Sequence, residues 1–444
     1  MIAEAPKAPP QHRHSAGPRG TVRWHAAVTL AVFAVSLAVL ALEASWSPFE
    51  ADEADYVATS RYFGYLFLHG DVARDEWDSN HWTRTQPPLT RYVVGAWLTA
   101  YGYDLEKMNQ PYVSTASSFE VNRQKGRVPT DDVLARARQP MVILGAGAVA
   151  LLYLLGVVLR GSAVGLAAAA LALSSPFVRY TLVHVWAEAP LAFFLVLSAL
   201  LAAYGVQRVL DGGRVAVWAI ATGLALGLAS AVKLTGLVGV LVTLCAAGIM
   251  AAWLLRRGDA SGAWRLGAWA GLAATVALTL FVAVNPYLWR GPVAGLRGMI
   301  EERRDEMAFQ QDQWPEYAVV DWVERPWLTI AGSLQVGPLA ETLLAAPINL
   351  LFLTIGITPL VGWVRYAGVA SAAGMFAAWA LGYFVAIVLG LGLKYPRYFM
   401  PTTLLFLPLV AAGLVLLLTA IWRRVPRSLG GPKGGRDPAR PSLT

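Results

Sequence analysis

"WHAAVTLAVFAVSLAVLALEASWSPFEADEADY", Trp24 to Tyr56, runs from a long apolar stretch straight into a crowd of acid. The apolar part, 25–43, approaches the ~20 residues that cross ~30 Å of hydrocarbon. It is too long for the core of a signal peptide. It ends in "EASWSPFEAD" rather than in a small-residue cleavage site, so it reads as a retained membrane span. Four carboxylates then fall within six residues: Glu50, Asp52, Glu53 and Asp55.

The rest of the chain follows the pattern of that first span. Of 444 residues, 56% are hydrophobic and only 14% charged, and the mean hydropathy is +0.50. A soluble domain of this size needs more charge to cover its surface. Hydropathy places about ten spans, at 25–43, 139–159, 162–181, 186–206, 214–232, 236–255, 266–284, 343–364, 367–391 and 400–422. The fold class is therefore an all-α polytopic membrane protein. Its single cysteine, Cys245, lies in an apolar run, so no intrachain disulfide is possible and cysteine usage does not reveal a redox compartment.

The net charge of +8 does not point to nucleic acid, because the cations sit between and beyond the spans. Arg19 and Arg23, then Arg160, Arg208, Arg214, Arg256, Arg257, Arg265, Arg365, Arg423, Arg424 and Arg427 all fall on one side of the alternating pattern. The positive-inside rule makes that side cytoplasmic, with both termini there. The Pro/Gly-rich ends, 1–24 and 423–444, are expected to be disordered and to flank a transmembrane unit over 25–422. Two long segments, 44–138 and 285–342, fall on the opposite, outer side, where they are expected to carry amphipathic helices.

The acidic stretch has two readings. In the structural one, Asp52 caps a helix with Asp55 as its capping partner, and Gly70 ends that helix. Tyr56, Phe63 and Phe67 then form an aromatic face lying on the membrane. In the functional one, a carboxylate at the water–lipid boundary acts as a general base on a hydroxyl or holds a cation. Four short stretches fall near the same outer edge: Arg84, Gln86, Pro87, Pro88 and Arg91 in "HWTRTQPPLTRY"; Glu188 in "HVWAEAP"; Lys233 in "SAVKLTG"; Lys394 and Arg397 in "KYPRYFMP". Ionisable residues at membrane level are expensive and are functional candidates, although lysines and arginines at span ends also snorkel to headgroups.

In these residues the chain resembles the GT-C superfamily of integral-membrane glycosyltransferases. The likeness is to the branch of the protein O-mannosyltransferases and the aminoarabinose transferase of lipid A. The matching elements are Asp52-Glu53-Ala54-Asp55-Tyr56 after the first span, Gly70-Asp71, Gln86-Pro87-Pro88-Leu89, Lys233-Leu234-Thr235-Gly236 and Arg397-Tyr398-Phe399-Met400-Pro401, with Arg136 or Arg138 near the second span. Two positions depart from the family pattern. Gln86 stands where a lysine precedes the proline pair, and Asp55 where an arginine is often found, so Arg84, Arg91 or Arg61 are the candidate substitutes.

The resemblance implies transfer of a sugar from a polyprenyl-phosphate donor to an acceptor hydroxyl on a protein, lipid or polysaccharide at the extracytoplasmic face of a bacterial or archaeal plasma membrane. The displacement would be single and inverting. Asp52, with Glu53 second, is the expected base. Lys233, Arg397, Arg138, Arg84 and Arg61 are the expected phosphate-binding cations, and Glu188, Tyr56 and Tyr398 are expected to position donor or acceptor. No cofactor is required. His69, His81 and His184 lack metal-ligand spacing, while the carboxylates leave a divalent cation possible. No glycine-rich phosphate loop supports a nucleotide donor. In the second outer segment, Glu301–Glu306 reads as a solvated helix, and Trp314, Tyr317, Trp322 and Trp327 as an interfacial belt. Acceptor choice is expected in that segment and in Tyr103–Asp132. The rival readings are a secondary transporter or flippase, and a non-catalytic lipid-binding relative.

Overall fold

The computed structural model describes residues 18–114 and 117–424. The expected disorder at 1–24 and 423–444 falls outside them, apart from the helix ends at 18–24 and 423–424. Among the described residues the chain is helical, and its one β-type pairing is an isolated bridge between Ala318 and Leu393.

Among the described residues, nine helices are long and apolar enough to cross a membrane. They are α1 (Pro18–Trp46), α4 (Asp131–Arg160), α7 (Glu188–Leu210), α8 (Val215–Val232), α9 (Gly236–Arg256), α10 (Ala260–Ala283), α13 (Ala345–Ala367), α14 (Ala372–Gly390) and α15 (Met400–Arg424). The expected tenth span is not straight. It divides into α5 (Ser162–Ser174) and α6 (Pro176–Val183), which meet at 75°. The cause is local. Pro176 has no N–H to continue the ladder, and the Ser175 hydroxyl accepts from Val178 N at 3.4 Å, starting a new helix.

Small residues let the spans approach closely. Lipid tails give apolar helices little reason to separate from or seek one another, so van der Waals fit decides. Gly356 of α13 and Gly413 of α15 lie against the partner helix's backbone, and a Cβ on either would overlap a carbonyl oxygen there. Helix α4 packs on α1, α5 and α7 and forms the middle of the bundle.

The arginine-bearing ends of α4, α7, α9, α13 and α15 share one side, as the alternation of spans requires. At the other side lie the C-terminal end of α1, the start of α7 at Glu188, the end of α8 at Lys233 and the turn at Arg397 before α15. The two long loops gather there. The first carries α2 (Ala51–Ala58) and α3 (Leu89–Ala100), the second α11 (Pro292–Gln313) and α12 (Glu324–Ser333).

The acidic stretch differs from its structural expectation. Glu50, not Asp52, is the N-cap of α2, and Glu53 accepts from Glu50 N at 3.1 Å. The helix ends at Ala58 rather than at Gly70. A turn and a short π-helical segment, Gly64–Leu68, follow before Gly70 reverses the chain at φ 63°. The continuous aromatic face is therefore broken: Tyr56 is buried while Phe67 is exposed. Tyr62, Tyr65, Trp77 and Tyr92 instead form a small core of their own.

Candidate functional site

Consecutive residues on a helix point ~100° apart, and α2 uses this to separate two carboxylates. Glu53 turns inward and is fully buried. Its Oε1 accepts from Arg138 Nε at 2.8 Å and from Val185 N at 3.0 Å; its Oε2 accepts from Arg138 Nη2 at 2.6 Å. Arg138 spends all five of its N–H groups. Besides Glu53 it donates to Ala44 O at 3.1 Å, Ser47 O at 2.8 Å and Pro48 O at 2.6 Å. Glu53 and Arg138 thus clamp α2 and the end of α1 to α4. Arg138 has no donor left for a phosphate and Glu53 no free lone-pair direction for a substrate proton. Both leave the candidate site.

Asp52 points the other way and is paired with Arg397, whose guanidinium also lies over Trp186 at 5.2 Å. The pair stands where two cavities meet. One, of about 720 Å³, is bordered by Glu43, Glu50, Tyr180, Trp186 and Glu341. The other, of about 320 Å³, is polar and holds Asp52, Lys233, Arg303, Arg397, Glu188 and Tyr398 among its walls. Lys233, Arg303, Arg397 and Tyr398 also border an apolar slot of about 210 Å³ formed with Leu191, Ala386, Ile387 and Leu391 at the ends of α7 and α14.

Of the remaining predicted residues, Lys233 donates to Glu188 Oε1 at 2.8 Å and sits 5.5 Å over the Tyr398 ring, so those three converge. Tyr56 reaches the same cavity and donates to Gln86 Oε1 at 2.7 Å. Arg84 does not converge, because it pairs with Glu302 on α11. Nor does Arg61, whose Nε donates to Ala58 O at 2.8 Å. Lys394 is exposed and off the cavities.

Sequence reasoning missed Arg303. The charged run on α11 is solvated along one side, as the exposed Arg297–Glu301 pair at 2.8 Å shows. Its other side faces the cavity, where Arg303 donates to the Tyr398 hydroxyl at 3.0 Å. Positions 299, 303, 306 and 310 recur at helical spacing on the inward face; that period is the signal that was available. Trp314 lines the cavity too, whereas Trp322 and Trp327 are exposed.

The four acids diverge, each to its own partner: Glu50 accepts from Tyr180 Oη, Asp52 pairs with Arg397, Glu53 with Arg138, and Asp55 Oδ1 accepts from Tyr112 N at 2.8 Å. Among the described residues no group of three or more His, Cys, Asp or Glu is placed to hold a metal ion. Burial pushes the Asp55 carboxyl up to about 7; the Tyr112 N–H opposes this and the neighbouring Asp52 charge adds to it. Burial likewise raises the Tyr56 phenol, keeping it a hydrogen-bond donor.

Residues 74–288 match the family model described as dolichyl-phosphate-mannose-protein mannosyltransferase. No curated protein matches the chain by sequence. Among solved structures the chain is similar to ArnT from Cupriavidus metallidurans bound to undecaprenyl phosphate, with a TM-score of 0.52 and 18% identity over 92% of this chain and 62% of that one. It is also similar to the archaeal oligosaccharyltransferase AglB from Archaeoglobus fulgidus in complex with an inhibitory peptide and a dolichol-phosphate, with a TM-score of 0.54 and 14% identity over 96% of this chain and 53% of that one. The chain thus spans less than two thirds of the length of either. These structures bear out the polytopic helical fold.

Proposed function

We propose, on the premise of a GT-C type membrane glycosyltransferase, that this chain moves a sugar from a polyprenyl-phosphate donor to an acceptor hydroxyl at the extracytoplasmic face. One observation carries this reading: the unburied carboxylate of α2 stands at the junction of a cation-walled cavity and a second, larger cavity. The cationic cavity continues into an apolar slot, which suits an amphiphile with an anionic head and a prenyl tail.

In this reading the tail occupies the slot, and the phosphate sits where Lys233, Arg303 and Arg397 meet, beside the Tyr398 hydroxyl. The acceptor enters from the larger cavity. Asp52 takes the acceptor's proton as that oxygen attacks the anomeric carbon. The bond from that carbon to the phosphate oxygen breaks, and its electron pair goes to the phosphate. The three cations oppose the negative charge growing there in a site partly screened from water. Attack from the face opposite the leaving phosphate inverts the anomeric carbon. Glu188 holds Lys233 in place through their 2.8 Å bond. No step calls on a divalent cation.

The test uses the full chain in proteoliposomes with a polyprenyl-phosphate sugar and a mixed hydroxyl-acceptor extract. Release of sugar-free polyprenyl phosphate, dependent on acceptor and lost in Asp52→Asn, is the expected result. Movement of the intact donor across the bilayer without release would instead make the protein a flippase.

A further inference from the structure

The polar cavity has two kinds of wall. Lys233, Arg303, Arg397 and Tyr398 border both this cavity and the apolar slot, so they mark the place where a lipid tail ends and its phosphate begins. A second group of lining residues comes wholly from the first loop and does not touch the slot: Asp55, Tyr56, Trp82, Gln86, Arg91 and the stretch of backbone at Tyr112–Ser114. A group one bond beyond the phosphate falls against this second wall.

That wall contains little free positive charge. Arg91 is 1% exposed and is largely committed to structure: its Nε donates to Thr59 Oγ1 at 2.9 Å, its Nη1 to Gln86 O and Pro87 O at 3.4 Å, and the guanidinium lies 5.1 Å over the Tyr56 ring. Besides the Arg91 Nη2 group, two polar side chains on this wall keep an unpartnered atom among the described residues. Asp55 is 8% exposed; its Oδ1 is fixed by Tyr112 N, and its Oδ2 has no hydrogen-bond partner among the described residues. The Gln86 carbonyl accepts from Tyr56 Oη at 2.7 Å, which leaves its amide N–H groups without a partner among the described residues. An acceptor and a donor, both open to one cavity, suit a ligand that supplies a partner to each. A sugar hydroxyl does so; a phosphate, which only accepts, does not.

We infer that Asp55 and Gln86 form the sugar-recognition subsite of the donor cavity, with Asp55 Oδ2 accepting from a ring hydroxyl and the Gln86 amide donating to a neighbouring sugar oxygen. They are specificity-determining residues, separate from the phosphate cations and from the base. The inference rests on the donor reading above. Trp82 on the same wall offers the apolar ring face that sugars stack on. The Tyr112 bond gives the segment after Tyr103 a part in the site: it fixes the rotamer of Asp55 rather than touching the sugar.

The experiment measures binding of two kinds of lipid to the full chain in detergent. One is sugar-free polyprenyl phosphate. The other is a panel of polyprenyl phosphates carrying mannose, glucose, galactose or arabinose. The expected result is that one or more of the sugar-bearing lipids binds the natural protein more tightly than the sugar-free lipid. Asp55→Asn keeps an oxygen for the Tyr112 N–H. At pH 8, where Asp55 with its pKa of about 7 is ionised, the variant is expected to lose about 10-fold or more in affinity for the favoured sugar lipid, the size of one charge-assisted hydrogen bond, while sugar-free lipid binds as before. Gln86→Met is expected to show the same split, and it carries the test if Asp55→Asn does not fold. Equal loss for both lipids, or no loss for either, overturns the inference. If the natural protein binds the sugar-free lipid but gains nothing from any sugar, the subsite is wrong and the donor reading stands. If it binds no polyprenyl phosphate at all, the donor reading itself is wrong.

Discussion

Two adjacent carboxylates are expected to fail in opposite ways when neutralised. Glu53→Gln puts an amide NH2 where the carboxylate accepted from Arg138 at 2.6 and 2.8 Å, from Val185 N at 3.0 Å and from Glu50 N at 3.1 Å. At least one former acceptor becomes a donor facing donors. The Arg138 charge stays buried with carbonyls alone for company. Removing one partner of a buried ion pair costs about 3–5 kcal/mol, a large share of the 5–15 kcal/mol that holds a typical domain. Asp52→Asn removes a pair whose members are 27% and 44% exposed, for which about 0–1 kcal/mol is at stake. Its loss appears in chemistry instead, at about 100- to 10,000-fold in turnover. The assay is paired: unfolding in mixed micelles titrated with SDS, and sugar transfer on the same preparation. Glu53→Gln should unfold at markedly lower SDS, and Asp52→Asn should unfold like the natural protein while turning over almost nothing. A Glu53→Gln protein with full stability and no turnover would refute the reasoning and move the base one residue along.

Three further expectations follow from other parts of the molecule. Lys233→Met and Arg303→Ala should each weaken polyprenyl-phosphate binding by about 10-fold or more, whereas Arg84→Ala, held on Glu302 away from the cavity, should change it less than 2-fold; equal effects of all three in a direct binding titration would contradict the placement. The folded-state pKa of Asp55 lies above its ordinary value, at about 7, so the folded protein holds a proton that the unfolded chain releases and stability must fall as pH rises through that window. Between pH 5 and 8 the fall from this group is about 2–3 kcal/mol, and Asp55→Asn should flatten the pH dependence of the melting midpoint, against a background set by Asp52, Arg91, Glu188, Lys233, Arg303, Glu306 and Arg397 around the same cavity. An unchanged slope in the variant would show that Asp55 titrates as an ordinary carboxylate. Gly413→Leu should separate α13 from α15 and lower the melting midpoint in detergent by several degrees, whereas Gly248→Leu, with open space around it, should not.

The spans were legible because twenty-residue apolar runs have one use, and the side of each loop followed from where the arginines fall. Asp52, Glu188, Lys233 and Arg397 were legible because each is an ionisable residue at a span end, where polar groups need a reason. What sequence could not separate was role among neighbours. Glu53 and Arg138 look as functional as Asp52 and Arg397 when read as a string; only the burial of one pair and the exposure of the other to a cavity divides clamp from site. Arg303 was hidden for the opposite reason: it sits in a run of charge whose outer side is solvated, and the inward stripe carries charged residues of its own, Glu302, Arg303 and Glu306. The break at Ser175–Pro176 was also readable in principle. The proline follows Ser174 and Ser175 inside a mostly apolar stretch, and the stretch outweighed it.

The central claim is that a phosphate bound among Lys233, Arg303 and Arg397 holds a donor sugar up to Asp52. The most direct measurement is a structure of the full chain determined with polyprenyl phosphate bound. The account predicts phosphate density in contact with all three cations, the prenyl chain running between α7 and α14, and the ester oxygen turned toward Asp52. Phosphate density in the larger cavity beside Glu43 and Glu341, or anywhere out of reach of Lys233, would contradict it.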